Sequence, residues 1–139
     1  MIIKLYSIIY FILTPLVLIK GLLRNEGLKV FERFGFYRQE VDKELACIWL
    51  HAVSVGEINA IAPLISELRL RGENVVVTSG TISGFETCRR IFDDTITHVF
   101  FPIDLHFAIK RFFNHFRPKV VYIAETELWP NLMLYCRYN

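Results

Sequence analysis

A chain of 139 residues has room for one domain with a real core and not for two ordinary ones. Its net charge of only +2 lacks the strongly basic face that nucleic acid asks for, so no nucleic-acid partner is expected. Cys47, Cys88 and Cys136 are odd in number and without paired spacing, and the four histidines show no metal-ligand spacing. The cysteines therefore read as reduced, mostly buried thiols, and no metal is expected.

The hydrophobic share, 53%, is rich for a soluble protein, and much of the excess lies at the N-terminus. Leu5 to Ile19, "LYSIIYFILTPLVLI", carries no charge. As a helix it spans only about 22 Å at roughly 1.5 Å per residue, against a hydrocarbon core of about 30 Å. With Ile2, Ile3 and snorkelling Lys4 and Lys20 it comes close to spanning, and Pro15 offers a kink, so a tilted shallow anchor and a marginal transmembrane helix both fit. "KGLLRNEG" lacks the small-x-small site of a cleaved signal peptide. A buried core helix is the plainer alternative, but it must explain the missing polar face. Behind the run, Lys20, Arg24, Lys29, Arg33 and Arg38 outnumber Glu26 and Glu32, which suggests anionic lipid and places the rest of the chain on the cytoplasmic side. The organisation expected is an anchor helix over 1–23, a basic linker over 24–44 and an α/β domain over 45–139.

In that domain "ACIWLHAV", "NVVVTS", "THVFF" and "KVVYIA" have the length and β-branched or aromatic content of buried strands. Helical periods separate them. Ile58, Ile61, Ala62, Ile65 and Leu68 line a first helix that stops near Gly72, with Pro63 predicting a kink or a late start. Phe85, Cys88, Ile91 and Phe92 line a second, and Leu105, Ala108, Ile109, Phe112 and Phe116 a third with Asp104 as its N-cap. A fourth begins near Pro130. This order predicts an α/β, Rossmann-like, doubly wound parallel sheet. The last helix stops short at "LMLYCRYN", which reads as part of a longer protein.

Three loops gather at the carboxyl edge of such a sheet, where ligands bind. In "HAVSVGE", Ser54 and Glu57 have capping-box spacing, and the same spacing sets a carboxylate at the mouth of the site. Cap and proton acceptor both remain open for Glu57. His51 on the preceding strand reads as a core histidine or one supporting a site residue. "TSGTISG" offers amides and the hydroxyls of Thr78, Ser79, Thr81 and Ser83 to an anionic group, or is an ordinary glycine-rich turn. "ETELWPN" brings Glu125 and Glu127 to the edge that holds Glu57, where neighbouring carboxylates raise each other's pKa.

"HAVSVGE" followed by "ETELWPNL", with an apolar N-terminus ahead and "RFGFYR" between, resembles 3-deoxy-D-manno-octulosonic acid (Kdo) transferase. The resemblance covers essentially the whole chain. It implies the acceptor-side, N-terminal half of a GT-B glycosyltransferase at the cytoplasmic face of the bacterial inner membrane. The partners it implies are the lipid A precursor and CMP-Kdo, the latter held by a C-terminal domain, with no cofactor and no metal. In this comparison Glu57 falls on the general base, and Ser54, Gly56, Thr81, Ser83, Gly84, Glu125 and Glu127 on the acceptor side. One loop departs, with Thr81, Ile82, Ser83 and Gly84 where many members read Thr-Pro-Thr-Gly, which leaves its shape open. Two other readings are a non-catalytic, membrane-anchored lipid-binding fragment and a dinucleotide enzyme, the latter disfavoured by the absent glycine fingerprint.

Overall fold

A computed structural model describes residues 2–23, 27–42 and 44–139. Arg24 and Glu26 of the basic segment lie outside the described residues. Four parallel strands, β1 (Cys47–Ala52), β2 (Val75–Ser79), β3 (Thr97–Phe100) and β4 (Pro118–Ile123), form one sheet in the order β3-β2-β1-β4. The helices are α1 (Ile2–Leu23), α2 (Val55–Leu70), α3 (Ile82–Phe92), α4 (His106–Phe116) and α5 (Pro130–Tyr138), with a 3-10 helix at Gly27–Phe34.

Successive β1 side chains point to opposite faces, and both faces are buried. Cys47 and Trp49 join Val99, Phe101, Phe112, Phe116 and Leu132 under α4 and α5. Ile48, Leu50 and Ala52 join Ile58, Ile65, Val77 and Cys88 under α2 and α3. That two-sided covering is the doubly wound arrangement expected. Helix α2 ends as its glycine predicts: Gly72 has φ +78°, its N–H reaches Arg69 O and the Glu73 N–H reaches Leu68 O, a Schellman closure. Cys47 and Cys88 are buried thiols, each pushed up to about 12 by burial, whereas Cys136 is exposed.

The structure corrects three local expectations. The late start allowed at Pro63 does not occur, since α2 is already underway from Val55. The strand read as buried over "KVVYIA" is an edge strand, paired with β1 alone and leaving Tyr122 half exposed. Asp104 does not cap α4, whose N-cap is Leu105 with no side-chain bond. Fully buried, the Asp104 carboxylate instead accepts the N–H groups of Asn131 (3.0 Å) and Leu132 (2.9 Å) and caps α5.

Helix α1 lies against this end of the body. Ser7 and Asn131 exchange hydrogen bonds, the Tyr6 hydroxyl reaches Asp104, and Tyr10 packs on Phe34, Ile103, Leu105 and Ala108. Its opposite face, with Leu5, Ile8, Phe11, Ile12, Leu16 and Ile19, is exposed. Among the described residues no helix is long and apolar enough to cross a membrane.

The strand order reverses beside β1. The chain runs outward from β1 to β2 to β3, then returns through α4 to place β4 on the far side of β1. Ligand crevices of open α/β sheets lie outside the strand ends at such a reversal. Here those ends are His51 to Val53 and Ile123 to Glu127.

Candidate active site

Helix α2 starts where β1 ends because Ser54 turns the chain out of the sheet. Its Oγ accepts the Glu57 N–H at 3.4 Å and donates to Glu57 Oε1 at 2.8 Å, while Glu57 Oε2 takes the Val53 N–H at 2.8 Å. This is the capping box with one displacement: the glutamate reaches the residue before the cap rather than the cap itself. Each oxygen of Glu57 spends one acceptor position on the cap and keeps another for a ligand. Capping and accepting a proton are therefore compatible in one side chain. Gly56, in the first turn, is exposed.

The second loop locks onto the first. Thr81 Oγ1 donates to Val53 O at 2.7 Å and accepts the Gly84 N–H at 3.1 Å, capping α3. A Cβ on Gly84 would meet Val53 O at 2.9 Å, and one on Gly80 would meet a Val53 methyl at 2.8 Å. Both glycines thus allow two loops to touch. Ser83 is the exposed hydroxyl of this group, within 3.4 Å of Thr81.

From the third loop Glu127 turns inward and Glu125 outward into solvent. Glu127 Oε2 lies 3.2 Å from His51 Nε2 and accepts the Trp129 indole N–H at 3.1 Å. Partial burial raises its pKa, opposed by the Trp129 bond and reinforced by the charges of Glu57 and Glu125. Of the carboxylate effects expected at this edge, the one on Glu127 is seen, and it is smaller than that of burial. His51 is buried, stacked 3.9 Å from Phe101, and burial pushes its pKa down to about 4. It is neutral at physiological pH, so its contact with Glu127 is a hydrogen bond and not an ion pair.

His51, Val53, Glu127 and Trp129 line a cavity of about 220 Å³ together with Tyr10 of α1 and Arg33 of the 3-10 helix. Glu57 stands beside it, bonded to the wall residue Val53 and acting electrostatically on both His51 and Glu127. The Arg33 guanidinium donates to Gly80 O at 3.1 Å and lies over the Phe100 ring. Arg33 and Tyr10 escaped the sequence reading as site residues, since nothing in an apolar helix or a basic linker announces which side chain will fold back over a sheet edge. A larger groove, about 750 Å³, lies between the 3-10 helix and α4 and is lined by none of the predicted site residues.

These features define a class: a parallel α/β domain with a carboxylate-bearing cleft at its strand reversal. The model of the 3-deoxy-D-manno-octulosonic-acid transferase (kdotransferase) family matches residues 29–139, and the chain belongs to that family, to its N-terminal half. It is 38% identical over 107 residues to the 3-deoxy-D-manno-octulosonic acid transferase of Haemophilus influenzae, covering 76% of this chain and 25% of the relative. It is 37% identical over 117 residues to a probable mitochondrial 3-deoxy-D-manno-octulosonic acid transferase of Arabidopsis thaliana, covering 80% and 26%. With the enzyme of that name from Rickettsia bellii it shares 31% identity over 134 residues, covering 91% and 32%. The chain thus spans about a quarter to a third of the length of these relatives.

Proposed function

We propose that this chain forms the acceptor side of an inverting GT-B glycosyltransferase that moves Kdo from CMP-Kdo to a lipid A precursor at the cytoplasmic face of the bacterial inner membrane. The observation that carries the reading is the meeting of Glu57, His51 and Glu127 at the strand reversal, in a chain of the Kdo transferase family. Glu57 takes the proton of the attacking acceptor hydroxyl. The freed oxygen bonds to the anomeric carbon of Kdo as that carbon's bond to the CMP phosphate oxygen breaks, and CMP leaves with the electron pair. Glu127 orients the acceptor sugar, and Ser54, Gly56, Ser83 and Glu125 contribute from the rims, while Thr81 and Gly84 shape the loop. CMP-Kdo is bound by the part of the family's length that this chain does not span. No metal is assigned a role, so turnover should persist in chelator.

The exposed apolar face of α1 fits this reading, because a phosphorylated acceptor with acyl chains stays at the bilayer surface and anionic lipids attract the cations behind the helix. The test is made in the complete reading frame that encodes the chain. Glu57→Gln keeps hydrogen-bonding groups for Ser54 and Val53 and cannot take a proton. It should lose about 100-fold to 10,000-fold in kcat, the usual scale of general-base catalysis, at nearly unchanged Tm. Glu57→Ala should lose the same rate and, with the cap gone, about 1 kcal/mol of stability. Near-normal turnover in Glu57→Gln would remove the base from the mechanism.

A further inference from the structure

We propose that His51 is a positioning residue, holding the Glu127 carboxylate in one orientation at the cavity through its Nε2–H while Thr78 serves the other ring nitrogen. This rests on the reading of the cleft as a transferase site. The Trp49 indole can only donate, and its Nε1 lies 2.8 Å from Thr78 Oγ1. That hydroxyl accepts from Trp49 and keeps its own proton and a second lone pair, so it can serve His51 Nδ1, 2.9 Å away, in either tautomer. A neutral imidazole carries one proton, and Glu127 Oε2, 3.2 Å from Nε2, favours it there, where the ring donates to the carboxylate while Nδ1 accepts from Thr78. The opposite tautomer could donate to the Thr78 carbonyl or hydroxyl, 3.2 and 2.9 Å from Nδ1, but would set a ring lone pair against an ionised carboxylate. The ring has no freedom to compromise: it is stacked on Phe101 at 3.9 Å and edge-on to Trp129 at 6.3 Å. The bonds thus run in one direction from the core to the cleft, from Trp49 to Thr78 to His51 to Glu127, and Trp129 supplies a second donor to the same oxygen.

The variants that separate positioning from space-filling are His51→Phe, which keeps an aromatic ring without a donor, and His51→Gln, whose amide nitrogen can stand in for Nε2. In the complete protein, His51→Phe should lose about 10-fold to 100-fold in kcat, the value of a hydrogen bond to a charged group, with Tm at or above that of His51→Gln. His51→Gln should recover most of the rate. The groups facing Glu127 are His51 on β1, Glu57 on α2, Glu125 on its own loop, Tyr10 on α1 and Arg33 on the 3-10 helix. Of these, only His51 changes in the variant. Loss of its donor leaves ionised Glu127 less stabilised, so the acid limb of the kcat/KM profile should move to higher pH in His51→Phe and return in His51→Gln. Independently of activity, ¹⁵N shifts of the wild-type ring should show a protonated Nε2 and a bare Nδ1 at neutral pH.

A proton on Nδ1, full activity in His51→Phe, or rates that follow Tm in both variants would each overturn the proposal. The broader reading fails separately: if Glu57→Gln and Glu127→Gln both stay active, the cleft is not the transferase site, whereas if both are inactive and His51→Phe is normal, only the positioning role falls.

Discussion

Glu32 is a buried carboxylate that no motif announces. Its Oε2 accepts the Phe100 N–H at 2.9 Å, filling an outward-facing donor at the β3 edge of the sheet, and Oε1 accepts from Gln39. Burial raises its pKa, with those two bonds and the charges of Lys29 and Arg33 acting in the opposite direction. Since the folded value exceeds the unfolded one of about 4.3, the contribution to stability is complete below about pH 4 and is lost as pH rises through the folded pKa. Glu32→Gln abolishes this titration. Melting curves of both proteins from pH 4 to 8 should therefore show the variant gaining on wild type as pH rises, and parallel curves would refute the assignment. Asp104 offers a contrasting test: Asn at that position turns one accepting oxygen into an NH2 group facing a buried N–H. Asp104→Asn should cost about 1–3 kcal/mol by denaturant titration.

Among the elements, α1 makes its polar contacts inward and leaves its apolar side outward, the reverse of a helix built to face water. Exchanging the exposed Ile8, Ile12, Leu16 and Ile19 for Gln or Ser leaves Tyr6, Ser7 and Tyr10 on the body. This quadruple variant should move from the membrane pellet to the soluble fraction with little change in Tm, and its retention after salt and carbonate washes would reject the docking role. What the sequence discloses about such elements depends on range. The strand at Cys47–Ala52 is legible because consecutive apolar residues serve two faces, and the Gly72 stop because a Schellman closure is local. Asp104 misleads because an aspartate beside a helix start looks the same whichever helix it caps, and its true partners lie 27 and 28 residues away. In the site, Glu57 and Glu127 were visible as carboxylates after strands. The covering by Tyr10 and Arg33 depends on α1 and the 3-10 helix folding back, which no spacing encodes.

For the whole molecule, the GT-B reading requires that the acceptor cleft work only with the remainder of the family's length in place. The 139 residues alone, mixed with CMP-Kdo and lipid A precursor, should show no transfer, and any turnover above background would place a donor site inside them. The strand order has a further effect during synthesis on the ribosome. β1 finds β2 soon after it emerges, but its other flank waits until residues from Pro118 onward have been made. At about 5–20 residues per second that flank stays unpaired for several seconds, open to chaperones and to neighbouring nascent chains. Glu127 arrives later still. The cleft therefore forms only after Glu127 and Trp129 have been made, and until then β1 to β3 stand without that wall of it.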